Sequence, residues 1–186
     1  GERASGEERF VLAMRRFEEV IALQPAKLEV WQPLARVYQA RLYLLASDEN
    51  VDLPALEREL AKVEKFFTAA TKHFGEKPML GALGGVLYEV GRGYYNAGRA
   101  EDAARMLERS VTLFPTPPAL ELLGTLYLKR GQTKEALTVL ERVSTHPPLE
   151  QLERLYWRAR SRRLFADAQE QGGDGTAAAT RKAAVA

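Results

Sequence analysis

A chain that repeats itself at a fixed step builds its core by stacking copies of one unit, and this chain repeats at a step of 33 residues. Residues 84–116 laid above 117–148 bring Leu87 onto Leu120, Val90 onto Leu123, Gly91 onto Gly124 and Tyr94 onto Tyr127. Further along, Gly98 meets Gly131, Ala103 meets Ala136, Leu107 meets Leu140, and Pro115 meets Pro148. Gly124 lies inside the apolar run "LELLGTLYLKRG", where glycine costs about 1 kcal/mol relative to alanine in a helix. Its recurrence at Gly91, and as Ala35 in "WQPLARVY", marks a position where a paired helix passes closely.

Apolar residues recur at spacings of three and four, the period of a helix buried on one face. Ala103, Leu107, Val111 and Phe114 form one stripe, and Ala136, Leu140 and Val143 form another. No stretch alternates apolar with polar residues in the manner of a strand. Turn-forming clusters fall at "LQPAK", "SDENVDLP", "FGEKP", "NAGRAED", "FPTPP", "RGQTK", "THPP" and "QGGDG". Asp52, ahead of Pro54, and Thr133 read as helix starts. The expected fold class is all-α, with six or seven helices joined by short connections and one longer joint near residues 48–53.

The spacing Leu120, Leu123, Gly124, Tyr127, Ala136, Leu140 and Pro148 resembles the signature of the tetratricopeptide repeat family. The resemblance extends upstream. Ala13, Phe17, Val20 and Pro25 match a second-helix half, and Trp31, Leu34, Ala35 and Tyr38 match a strong first-helix half. Val63, Phe67 and Ala70 match the corresponding second helix only after an insertion, which implies a lengthened first helix through "QARLYLLAS" and a second helix from about Leu53 to Phe74. Pro33 departs from the pattern and is tolerable where the helix begins only a few residues earlier. The resemblance implies an α-solenoid of antiparallel helix pairs over residues 1–171. It would comprise a half repeat at 10–25, repeats at 28–74, 84–116 and 117–148, and a capping helix at 149–171. A capping helix is expected because the last repeat would otherwise expose an apolar face; Leu149, Leu152, Leu155, Tyr156 and Ala159 supply its stripe. Residues 172–186 read as a flexible or weakly helical tail.

Stacked repeats of this family line a concave groove with their first helices, so the resemblance implies a groove for a protein or peptide partner. Its lining carries over as Gln32, Arg36, Gln39 and Tyr43 in the lengthened repeat, Tyr88, Arg92, Tyr95 and Asn96 in the next, and Glu121, Thr125, Leu128 and Lys129 in the last. Tyr88, Arg92 and Tyr95 share one helix face by their spacing, and tyrosine and arginine dominate binding hot spots. Some family members clamp chaperone tails through Lys and Asn; here Tyr88 and Arg92, or Glu121 and Thr125, stand at the corresponding places, which disfavours that ligand. The leading expectation is a non-catalytic scaffold or adaptor, with a monomer favoured among oligomeric states and no cofactor. The alternative is an assembly component of a bacterial secretion, pilus or motility complex, docking through its ends or convex face.

Other chemistries lack support. The net charge is +2, against the basic field of a dedicated nucleic-acid binder. Cysteine is absent and the only histidines, His73 and His146, are far apart near helix ends, so neither a metal site nor thiolate catalysis is expected. The run "GALGGVLYEVGRGYYNAG" lacks the order and context of a phosphate loop. "RARSRR" at 158–163 spreads over more than one helix face and reads as a solvated capping helix. Acidic pairs such as Glu18 and Glu19, or Glu101 and Asp102, serve helix starts or solubility. No apolar run reaches the 18 or so residues of a membrane span. The expected setting is soluble, with a cytoplasmic location favoured over a periplasmic one that would need an upstream signal.

Overall fold

Two glycines close two helix pairs identically. Gly98 and Gly131 hold φ of 74° and 71°, the left-handed region that a side chain disfavours. The residue after each glycine donates back to the repeat tyrosine: Arg99 N–H to the Tyr94 carbonyl at 2.8 Å, and Gln132 N–H to the Tyr127 carbonyl at 2.9 Å. These bonds satisfy carbonyls orphaned at the helix end and turn the chain into the next helix. The 33-residue step is thus a repeat of backbone geometry as well as of sequence.

A computed structural model describes residues 2–48, 50–145, 156, 159, 160, 162–164, 166, 167 and 170. Pro148, His146, Leu149, Leu152, Leu155 and the tail 172–186 lie outside the described residues. Among those described there are α-helices and one short 3-10 turn, and no strand. The chain divides into two compact units, residues 1–106 and 107–186.

The first unit contains α1 (Glu2–Leu23), α2 (Leu28–Ala46), α3 (Leu53–Phe74), the 3-10 turn Lys77–Met79, α4 (Leu80–Asn96) and the start of α5 (Ala100–Leu113). Helix α2 packs against α1, α3 and α4. It buries Trp31, Leu34, Ala35 and Tyr38 and, in its extra length, Leu42 and Ala46. Pro33 sits five residues into α2 and removes one helical hydrogen bond, to the Glu29 carbonyl. Helix α3 starts where the Asp52 carboxylate accepts from the Ala55 N–H at 3.0 Å, an N-cap followed by Pro54 in the first turn. The α2–α3 core is aromatic: Phe66 lies 5.4 Å from both Trp31 and Tyr38, and Phe74 meets Trp31 edge-on at 5.8 Å. Trp31 also donates its indole N–H to the Pro25 carbonyl at 3.1 Å, which ties the α1–α2 turn to that core.

The second unit contains the rest of α5, α6 (Pro117–Lys129), α7 (Thr133–Thr145) and the helical residues described between 156 and 170. Helices α6 and α7 pack face to face and bury Leu120, Leu123, Leu126, Ala136, Leu140 and Val143. Gly124 faces Leu140, and a Cβ there would stand 2.6 Å from Leu140 Cγ. Leu164 packs on the cluster of Leu128, Ala136 and Leu140, and Ala166 is fully buried.

Gly124→Leu is expected to lower unfolding stability by about 1–3 kcal/mol, the usual cost of overpacking. Adding Leu140→Ala vacates the volume that the new leucine needs. In urea melts the double variant should therefore lose less than the sum of the two single losses. Strict additivity would show that Gly124 does not face Leu140.

Candidate functional site

The first helices α2 and α4 lie side by side, and small residues set how close they come. A Cβ at Gly93 would meet Leu56 Cδ2 at 2.8 Å and Ala46 Cβ at 3.2 Å, and one at Gly85 would meet the Gln39 amide at 2.8 Å. Gly85, Glu89 and Gly93 recur every four residues on one helix face. That period was readable in the sequence, yet only Gly91 was singled out there, as a packing position.

This approach brings several of the expected groove residues together. The Arg92 guanidinium donates to the Tyr43 carbonyl at 3.0 Å and to Ser47 Oγ at 2.9 Å. It pairs with Glu89 at 2.8 Å and stacks 4.6 Å from the centre of the Tyr43 ring. Asn96 donates its amide to the Ala46 carbonyl at 2.8 Å. Arg92 and Asn96 thus satisfy carbonyls at the C-terminal end of α2, where positive charge and donors are favoured. Glu89 is buried, and burial pushes its carboxyl above the ordinary range while Arg92 opposes the shift. Tyr43 is 52% exposed, Tyr88, Tyr95 and Gln39 are half-buried, and Gln32 and Arg36 are exposed on α2.

The last repeat differs. Arg160 donates to Glu121 at 2.5 Å and to the Tyr156 hydroxyl at 2.8 Å, so the chain's own C-terminal helix engages Glu121. Leu128 is buried with Ala136, Leu140 and Leu164, which corrects its expected place in the groove: it packs the core. The spacing of three and four could not reveal this, because the covering helix follows in sequence. Thr125 is half-buried and Lys129 exposed.

The repeat tyrosines have a second task. Tyr94 donates its hydroxyl to Glu57 at 3.1 Å, and Tyr127 to Glu108 at 2.7 Å. Each bond joins a first helix to the second helix of the preceding pair. Burial, and then the Glu57 bond and charge, push the Tyr94 phenol up to about 12. Tyr38 is pushed up to about 12 by burial and then by the Glu18 and Glu59 charges. Tyr127 is raised by burial and then by its Glu108 bond. Beneath α2, Glu59 is buried and paired with Arg41 at 3.0 Å and Lys62 at 3.3 Å. Among the described residues no group of acidic or imidazole side chains is arranged to hold a metal ion, and no helix is long and apolar enough to cross a membrane.

Arg92→Ala is expected to cost about 1.5–3 kcal/mol, the range for hydrogen bonds to charged groups, in urea denaturation. Arg92→Lys should recover only part of that, because a lysine cannot serve three acceptors in the plane of a fork. The tyrosines give a pH signature. Their folded-state pKa values lie above the unfolded value of about 10, so the stability they contribute is complete below that pH. It is lost as pH rises from about 10 through 12. Unfolding free energy measured across that window should fall for the wild type and fall less for Tyr94→Phe.

Comparison with curated proteins returns no match. Among solved structures the chain is similar to a crystal structure of MamA protein, at 17% identity and a TM-score of 0.48, with 100% of this chain and 82% of that chain covered. Residues 94–162 match the family model described as tetratricopeptide repeat. That span runs from the tyrosine of the first aligned repeat into the helix that pairs with Glu121. Over residues 94–162 the chain is thus similar to tetratricopeptide repeats.

Proposed function

We propose that the protein is a non-catalytic interaction module that holds a peptide or protein surface on the face where α2 and α4 meet. One observation carries this reading. The half-exposed Tyr43 ring is pinned by the Arg92 guanidinium, which is itself fixed by Glu89, Ser47 and a helix-end carbonyl. An aromatic surface held in place before binding loses little side-chain freedom when a partner arrives. Tyr88 and Tyr95 lie on the same helix as Arg92, with Gln32, Arg36 and Gln39 available on α2 to orient polar groups. Tetratricopeptide repeats are in general protein-interaction scaffolds, and the partner chemistry named here rests on the residues.

Arg92 now has a structural duty, so the test separates it from the tyrosines. Tyr88→Ala/Tyr95→Ala should retain helicity by circular dichroism. It should lose partner affinity by about 30-fold or more, since hot-spot truncations cost at least about 2 kcal/mol. Partners captured from the native source by wild type, and titrated one-to-one against both proteins, provide the measurement. Equal affinity for the variant would overturn the reading. Concentration-dependent self-association of the free protein would favour the assembly component instead.

A further inference from the structure

A second surface lies away from the α2–α4 contact. Helices α1 and α3 wall a cleft of about 430 Å³ whose floor is Trp31, Leu34 and Tyr38 of α2. Ile21 and Ala22 form one wall, and Phe66 and Ala69 the other. The volume falls at the lower end of the range of small binding sites. That suits one or two apolar side chains. A second depression shares Lys65 and Ala69 with this cleft and continues along α3 past Thr68 to Lys72.

Charge selects the occupant. Arg58, Lys62, Lys65 and Lys72 are exposed on α3 at spacings that place them along one edge of the helix. Lys62 and Lys65 rim the cleft directly. Lys62 shares Glu59 with Arg41, so that group of three keeps one net positive charge. The Glu57 carboxylate is taken by the Tyr94 hydroxyl. The acidic groups facing the edge are Glu18, on the opposite wall, and Glu64, in the second depression. Cations therefore dominate the α3 rim above an apolar floor.

We propose that this cleft is a second docking site, for an acidic segment of a partner protein carrying a large apolar side chain. The apolar group enters between Ile21 and Phe66, and flanking carboxylates meet Lys62, Lys65 and the cations beyond. Desolvation of the apolar anchor gives most of the affinity, and the lysine edge sets orientation and encounter rate.

The probe is a labelled eight-residue peptide with a phenylalanine–leucine pair between aspartates and glutamates, titrated by fluorescence anisotropy. Wild type should bind it, and Kd should rise at least tenfold for Lys62→Glu/Lys65→Glu, for Ala22→Phe, which plugs the cleft, and for a peptide with serines in place of the apolar pair. A peptide with lysines in place of the acids should bind the charge-reversed variant better than wild type. Tyr88→Ala/Tyr95→Ala should bind the acidic peptide unchanged. Loss in that variant would move the peptide to the α2–α4 face and overturn this proposal while leaving the first reading intact. Absence of wild-type binding, equal affinity across the variants, or self-association blocked by Ala22→Phe would each overturn it as well, the last by assigning the cleft to a second copy of the chain. Circular dichroism of every variant confirms that the helices are retained.

Discussion

The distance between paired helices governs what else this chain can do. Where α6 passes α7, Gly124 leaves no room for a Cβ against Leu140, and where α4 passes α2 and α3, Gly93 leaves none against Leu56. Helices this close bury apolar surface without large side chains between them, and their backbone ends come within reach of each other's polar groups. The bonds from Arg92 to the Tyr43 carbonyl and from Asn96 to the Ala46 carbonyl exist because Gly85 and Gly93 permit the approach. A glycine that weakens its own helix by about 1 kcal/mol is offset by contacts that neither helix has alone.

A second device joins one pair of helices to the next. Tyr94 and Tyr127 stand 33 residues apart and both donate to a glutamate of the preceding second helix. Their acceptors, Glu57 and Glu108, are not related by the same step: Glu57 lies in the first turns of α3 and Glu108 in the second half of α5. The type of bond is kept while the position of the acceptor is not. Tyr38 follows the same scheme in weaker form, with the Glu18 charge of α1 among the causes of its raised pKa.

The helices and their packing residues were legible because period and repeat are local properties. A stripe at three and four residues identifies a buried face, and a second copy identifies which members of it matter. Trp31, Leu34, Ala35, Tyr38, Gly91, Tyr94, Ala103, Gly124 and Ala136 are all buried, while Tyr127 is half-buried under its bond to Glu108. What lies opposite a face is not local, and there the sequence misled. Leu128 has the spacing of a groove residue but is covered by Leu164, more than thirty positions on. Arg92 has the character of a binding residue but spends its donors on α2, and only the three-dimensional approach of Ser47 and Tyr43 discloses it. The α1–α3 cleft had no signature either: Trp31 read only as a packing position of the repeat, and the pattern did not single out Ile21 or Phe66.

The two surfaces differ in how they would hold a partner. On the α2–α4 face the aromatic ring and the guanidinium restrain each other, so complementarity to a bound partner would be fixed in advance and would act mainly on dissociation. Along α3, Arg58, Lys65 and Lys72 are long, hydrated side chains at an exposed edge, and their field acts mainly on encounter and weakens with salt. Ligand binding on the first face should therefore be insensitive to ionic strength, and binding at the second should decline with it. The difference follows from burial: Glu89 and Arg92 face each other at 8% and 20% side-chain exposure, whereas Lys62 stands at 55%. A partner engaging both faces would be steered by the lysines and retained by the tyrosines, with the helix pair between them acting as the spacer.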